Sequence, residues 1–363
     1  MSEVLLKELS NKDIHWIKTV SQQIELNPGE VLIHQKENLN SLYILINGTL
    51  AITVPEEKNI LQNTFERLEQ RGSSDKEITR LFRGEIIGRT PLLNIWQTNT
   101  AVKAVEKSVI LSIPGDVFQT KLEQDANFAA HFYRAITILF AEKIQNTINQ
   151  LGFAKTVQTQ SLKDIFFILE FLYDSDIDWL ISAGQKLEIP ADTTLIQEKG
   201  AVDAFYILFN GVISLSVAAD KRNALTAAFA AIENGEIPNR EIARLSKGEI
   251  IGETLFTDSR LPSTTAKTVT DSILLSIERR VLLGKLEQDV AFAARFYRQI
   301  STLLIHRLQK LHGQLKYSRH LYSKTQQLIK DMDEEDEIDT SFLDTISLSS
   351  KRFDWMLNQL NAY

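Results

Sequence analysis

The stretch KLEQDANFAAHFYR at residues 121–134 returns as KLEQDVAFAARFYR at residues 285–298, with 11 of 14 positions identical. A spacing of 164 residues is far longer than the roughly 20–50 residues of a stacked solenoid repeat, so it indicates a duplicated domain. GEIIG at 84–88 recurs at 248–252 with the same spacing, whereas LYILING (42–48) and FYILFNG (205–211) lie 163 apart. One residue is therefore gained in the region after Ala51 and Leu215. A surface loop there absorbs extra length at small entropic cost.

Each copy reads in the same order. A short helix opens it: Ser10 with Asp13, and Ser161 with Asp164, have the spacing of a helix N-cap ahead of an apolar run. Short runs of strand character follow at 24–26, 31–33, 42–46, 49–54, 102–105 and 109–113. Their counterparts lie at 187–189, 194–196, 205–209, 212–217, 268–269 and 273–277. Short strands broken by Gly-containing turns predict a small β barrel or jelly roll, with Asn47-Gly48 and Asn210-Gly211 as hairpin turns. The loops 55–79 and 218–240 are long enough to hold some helix around Phe65, Leu68, Leu225 and Phe229. A long helix then starts near Phe118 and near Leu283, with Phe128, Phe132 and Leu139 as an apolar stripe in the first copy. The fold expected is mainly β with helices, two jelly-roll domains in tandem with flanking α-helices. The boundaries expected are 1–154, 155–312 and a tail at 313–363. In that tail, seven of the nine residues 331–339 are acidic and read as a solvated linker. Phe353, Leu357 and Leu360 then share one helical face, with Trp355 and Met356 at its flanks. That face either closes on the protein's own surface or docks on a partner.

Composition narrows the function. With 40 basic and 47 acidic residues among 363 the net charge is −7, and no basic face offers itself to nucleic acid or to an anionic membrane. The N-terminus lacks the apolar core of a signal peptide, and the most apolar stretch, 204–219, is shorter than a membrane span. A cytoplasmic protein without membrane insertion is expected. The chain has no cysteine, and its six histidines are scattered without HExxH or GxSxG patterns. No catalytic or metal-binding constellation is legible, so no enzyme activity is expected.

The two GEIIG segments carry the functional reading, because glycine lets backbone N–H groups approach an anion and a following helical turn can cradle a phosphate. The order helix, short strands, NPGE-VLI, YILINGTL, GEIIGETLF and long helix resembles the cyclic nucleotide-binding domain of catabolite activators, cyclic-nucleotide-dependent kinases and gated channels. The resemblance covers about residues 9–150 and 172–311. It implies a cassette in which a glycine and a glutamate precede a short helix, an arginine pairs with the cyclic phosphate, and the glutamate accepts from the ribose 2′-hydroxyl. In the second copy the cassette falls on Gly252 and Glu253, with Thr264 and Thr265 in the STTAK segment. The arginine position holds Pro262, and Arg260 stands two residues upstream. In the first copy Gly88 is kept, but Arg89 replaces the glutamate and Thr98 stands at the arginine position. The resemblance therefore implies a degenerate first site and a partly retained second one, open to a small anionic ligand or a cyclic nucleotide such as cAMP. Two such domains without a catalytic or DNA-binding module also resemble a cyanobacterial family of bacteriocin-type transport-associated proteins.

The reading favoured by these features is a non-enzymatic regulatory or scaffold protein. It would contact a protein partner, or itself, through the flanking helices and C-terminal segment, beside a peptide-export system. A true cyclic nucleotide sensor acting through the second domain is the alternative. A transcription regulator is disfavoured by the acidic C-terminal region.

Overall fold

The computed structural model describes residues 3–35, 37, 40–55, 75–88, 100–150, 164–217, 239–256, 261–314 and 340–362. Its contacts divide into two compact units, one built on Met1–Ala135 and one on Ile136–Lys316 together with the C-terminal helix. The first copy runs α1 (Glu3–Glu8), α2 (Asn11–Val20), β1 (Gln22–Leu26), β2 (Val31–Ile33), β3 (Ser41–Asn47), β4 (Leu50–Pro55), β5 (Asp75–Leu81), β6 (Ile86–Gly88), β7 (Ala101–Ala104), β8 (Ser108–Pro114), α3 (Gly115–Gln124) and α4 (Ala126–Gln150). The division between the units falls inside α4. The second copy repeats the order: α5 (Asp164–Phe171), α6 (Asp174–Ala183), β9 (Gln185–Ile189), β10 (Thr194–Ile196), β11 (Ala204–Asn210), β12 (Ile213–Val217), β13 (Arg240–Leu245), β14 (Ile250–Ile251), β15 (Thr265–Thr268), β16 (Ser272–Glu278), α7 (Arg279–Gln288) and α8 (Val290–Gln314). A final helix, α9, spans Thr340–Gln359.

Each copy folds its strands into two four-stranded antiparallel sheets. The orders are β1-β8-β3-β6 and β2-β7-β4-β5 in the first, repeated strand for strand as β9-β16-β11-β14 and β10-β15-β12-β13 in the second. Leu26, Ile33, Leu45, Ile52, Leu81, Ile87, Val102 and Ile110 bring all eight strands of the first copy into one apolar core. This is the jelly roll expected from the strand spacing. Leu50 pairs with Leu81 and Ile213 with Leu245, so the residue gained between the copies falls in the β4–β5 connection.

Expectations about the strand connections change. Asn47-Gly48 and Asn210-Gly211 are not hairpin turns: β3 and β4, like β11 and β12, lie in different sheets, and the chain crosses between them there. Gly48 has φ +95°, and a Cβ on it would stand 2.7 Å from the Ser108 Cα, so the crossing tolerates no side chain. The span 55–79, expected to be loop, runs into strand β5, Asp75–Leu81. DKEITRL shows little apolar alternation because β5 lies at a sheet edge, paired with β4 alone. The helical content expected around Phe65, Leu68, Leu225 and Phe229, and the acidic run 331–339, lie outside the described residues.

The repeated KLEQDxxF motif is a helix junction. Asp125 and Asp289 accept from the backbone N–H of Phe128 and Phe292, three residues on, and cap α4 and α8. Lys121 and Lys285 bind those aspartates at 2.7 and 2.8 Å, and lie 5.5 and 5.4 Å from the ring centroids of the same phenylalanines. Phe118, Phe128 and Phe132 then pack edge-to-face or stacked with Trp16 of α2; Trp179, Phe292 and Phe296 do the same in the second unit. Leu139, placed in the same stripe by spacing, is only half-buried, and Ile136 continues the buried line instead.

The helix-cap correspondence also shifts. Ser10 and Asp13 form a capping box at α2, but their counterparts at the repeat spacing are Tyr173 and Asp176 of α6, where the Tyr173 N–H donates to Asp176. Ser161 lies outside the described residues, and Asp164 serves another purpose described below. The capping aspartates also tie the opening helix to the long one, Asp13 through His131 Nδ1 at 2.8 Å and Asp176 through a bidentate contact with Arg295. The α9 helix closes on its own unit. Phe353, Met356 and Leu357 are buried, Phe353 meets Phe209, and Arg352 donates to Asp174 and to the Leu169 carbonyl.

Phe128→Ala or Phe292→Ala should cost about 3–5 kcal/mol, since each ring is fully buried and leaves a cavity; chemical denaturation reads the loss. Asp13 gives a pH test. Burial opposes its ionisation, but the Ser10 hydroxyl, His131 and the Ser10 N–H outweigh that and hold the carboxyl below its ordinary value of 3.8. A depressed carboxylate contributes stability above that ordinary value and loses it as pH falls through the lower folded one. Asp13→Asn should therefore destabilise the first unit at neutral pH and flatten its loss of stability below about pH 4, followed by thermal unfolding across an acid series.

Candidate functional site

Turn chemistry accounts for the first half of each GEIIG segment. The Glu85 and Glu249 carboxylates accept from the backbone N–H of Phe82 and Ser246, three residues earlier, as Glu30 does from Asn27 in the NPGE turn. Gly84 and Gly248 donate their N–H groups to Leu45 and Leu208 at 2.7 Å. These backbone donors are thus spent on holding β6 and β14 to the central strands β3 and β11.

The second glycine of each segment marks a close approach. Gly88 and Gly252 have φ +115° and +99°. A Cβ on Gly252 would stand 2.6 Å from the Ala204 carbonyl, and one on Gly88 would collide with the Ser41 carbonyl. Glycine is needed at both places by strand packing before any ligand is considered.

Beyond Gly252 the second copy turns into a single 3₁₀ turn, Glu253–Phe256. Phe256 anchors that turn: its buried ring lies 6.1 Å from Phe205 of β11 and 5.7 Å from Phe296 of α8. The anchored turn places Glu253 at a cavity of about 60 Å³ wholly within the second unit. Gly252, Glu253, Pro262, Ser263 and Thr264 line it together. Thr265 is engaged elsewhere, its hydroxyl accepting from the Glu198 N–H at 3.0 Å and from the Gln197 amide. Pro262 is buried, and its carbonyl accepts from the Lys199 N–H at 2.8 Å. Arg260, Arg89 and Thr98 lie outside the described residues.

Three helices supply residues that the cassette did not reveal. Arg307 of α8 reaches the cavity with its side chain 19% exposed, and its Nη1 lies 3.1 Å from Glu253 Oε2. Its Nη2 donates to Asp164 Oδ2 at 2.5 Å and to the Ile250 carbonyl at 2.6 Å. Asp164, at the start of α5, also accepts from the Ile250 N–H. Burial opposes the charge on Arg307, yet Asp164 and Glu253 overcome it and raise its pKa. The third contributor is α4, whose Gln145 donates to the Leu261 carbonyl at 3.3 Å while Ile144 and Ile148 wall the cavity. Arg307 left one signal in the sequence: a cation set among Leu303, Leu304 and Leu308 on the buried face of a helix.

The cavity as it stands measures about 60 Å³, far below the roughly 300–1,000 Å³ of a small-molecule site. The Arg307–Glu253 pair and the α4 side chains Ile144, Gln145 and Ile148 narrow it. Among the described residues, no group of three or more His, Asp or Glu residues is placed to hold a metal ion, and no helix is long and apolar enough to cross a membrane. Arg307→Met should cost the second unit about 3–5 kcal/mol, because Asp164 would remain buried without its counter-charge. Urea denaturation followed by tryptophan fluorescence measures it.

Comparison with known proteins bears on this site. No curated protein matches the sequence. Among solved structures, the chain is similar to cAMP-bound PfPKA-R, at 15% identity and TM-score 0.31 over 88% of this chain and 89% of that one. It is similar to the regulatory subunit of a cAMP-independent protein kinase A from Trypanosoma brucei, at 15% identity and TM-score 0.30 over 90% and 97%. It is also similar to a putative cyclic nucleotide-binding protein from Geobacter metallireducens, at 12% identity and TM-score 0.31 over 41% and 99%. The sequence profile of the cyclic nucleotide-binding domain matches residues 23–125 and 186–289, more than half of the chain and one match per jelly roll. The chain thus belongs to the cyclic nucleotide-binding domain family and carries that domain twice in tandem.

Proposed function

We propose that this chain is a non-catalytic regulatory protein that senses a small nucleotide-class ligand through its second domain, with the first domain serving as scaffold. One observation carries the reading: Gly252, Glu253 and Thr264 converge on a cavity that is lined and narrowed by residues of two long helices, Gln145 of α4 and Arg307 of α8. A ligand of nucleotide size enters only if those side chains withdraw. Occupancy of the cassette and the position of the helices are then coupled, which is the requirement for a signal. Phe256 strengthens the coupling, since the turn bearing Glu253 meets the helix bearing Arg307 in two aromatic contacts, Phe256 with Phe296 and with Tyr297.

A scaffold role for both domains is the second reading, favoured by the small volume of the cavity. Calorimetric titration of the intact chain with cyclic AMP, cyclic GMP and the parent nucleosides separates the two. The expected result is saturable binding of at least one of them, one molecule per chain, lost in Thr264→Trp, which fills the cassette. Silence up to about 1 mM for every compound, a binding free energy weaker than about −4 kcal/mol, would establish the scaffold reading.

A further inference from the structure

Helix α9 lies outside the repeat, but its seat lies within it. In the second unit the Phe353 ring of α9 stands 5.9 Å from that of Phe209 at the end of β11, with Lys247 of the β13–β14 turn over its face. Arg352 donates to the Leu169 and Glu170 carbonyls of α5 and to the Asp174 carboxylate. The capping pairs Ser10–Asp13 and Tyr173–Asp176 set the opening helices of the two copies 163 residues apart. Leu169 therefore corresponds to Leu6, Phe209 to Ile46 and, at the GEIIG spacing, Lys247 to Arg83.

In the first unit these places are open. Leu6 is 50% exposed where Leu169 is 0%. Ile46 is half-buried where Phe209 is fully buried, and Phe82, beside Arg83, is 58% exposed. An isolated apolar side chain at a surface is ordinary, whereas three at the places of one helix seat mark a docking face. The charges at its rim select the occupant. Asp174, which receives Arg352, is replaced by Asn11, and Glu170 by Lys7, while Arg83 keeps a cation where Lys247 covers an aromatic ring. Glu3, at the place of Phe166, lies a turn away from Lys7. A helix with the apolar spacing of α9 and a carboxylate in place of Arg352 is complementary to this rim; α9 itself carries the opposite charge and is seated on the second unit. We propose that Leu6, Ile46 and Phe82 receive an amphipathic helix of a partner protein, with an acidic residue directly before the aromatic one that packs on them. This surface is independent of whether the second domain takes a ligand.

The test uses a fluorescein-labelled peptide of residues 340–359, with Arg352 as it stands and as Arg352→Glu, titrated with the intact chain and followed by anisotropy. The Arg352→Glu peptide should bind saturably, one per chain, and more tightly than the unaltered peptide. Leu6→Asn combined with Phe82→Asn should weaken it by about tenfold or more, the scale of a lost docking anchor. Both side chains are exposed, so thermal unfolding should change little. Lys7→Glu should reverse the order of the two peptides. No saturation up to about 1 mM, or equal binding by the Leu6/Phe82 double variant, overturns the proposal. An order of peptides unaffected by Lys7→Glu removes the acidic residue from it. Sedimentation velocity supplies the other arm: a wild-type dimer that the double variant loses assigns the face to a second copy of this chain and overturns the partner helix.

Discussion

The half-buried guanidinium of Arg307 holds the second domain's site together. It joins the start of α5 through Asp164, the strand β14 through the Ile250 carbonyl, and the cassette turn through Glu253. Desolvating one charge is tolerable only because two carboxylates answer it at contact distance. The same arrangement makes the elements interdependent: a change at Glu253 is felt by α8 and, through Asp164, by α5.

The two copies share their scaffold and differ where charge is concerned. Each uses an aspartate of the opening helix to bind the long helix, but the first pairs Asp13 with His131, and the second pairs Asp176 with Arg295, which stacks on Tyr173. The guanidinium gives two parallel bonds, whereas the imidazole gives one. At the cassette the divergence is larger, since Glu253 corresponds to Arg89 and Arg307 to Lys143. The acid–base pair of the second copy is thus represented in the first by two bases. Duplication preserved the packing that any such barrel needs and left the charged residues free to diverge.

Much of the architecture was legible in the sequence because it depends on local rules. Apolar alternation placed the central strands β3, β4, β8, β11, β12 and β16 nearly to the residue, and the repeat spacing gave the duplication with its one-residue gain. The polar edge strands β5 and β13 were missed, since a strand paired on one side carries a weak apolar signal. The NG turns misled for a related reason: Asn-Gly marks a tight reversal but not whether the next strand joins the same sheet, and here it joins the other.

By itself the sequence determined the two jelly rolls, their helices and the unequal cassettes, since periodicity, turn residues and identity at a fixed spacing are all local properties. The tertiary structure decided the rest. It turned Asp164 from a presumed cap into the anchor of Arg307, spent the first glycine and glutamate of GEIIG on a turn, and folded α9 back onto its own unit. Arg307 and Glu253 are 54 positions apart and Arg307 and Asp164 are 143. No periodicity relates such positions, and which charges meet in a desolvated pocket is fixed only when separate helices pack against the barrel.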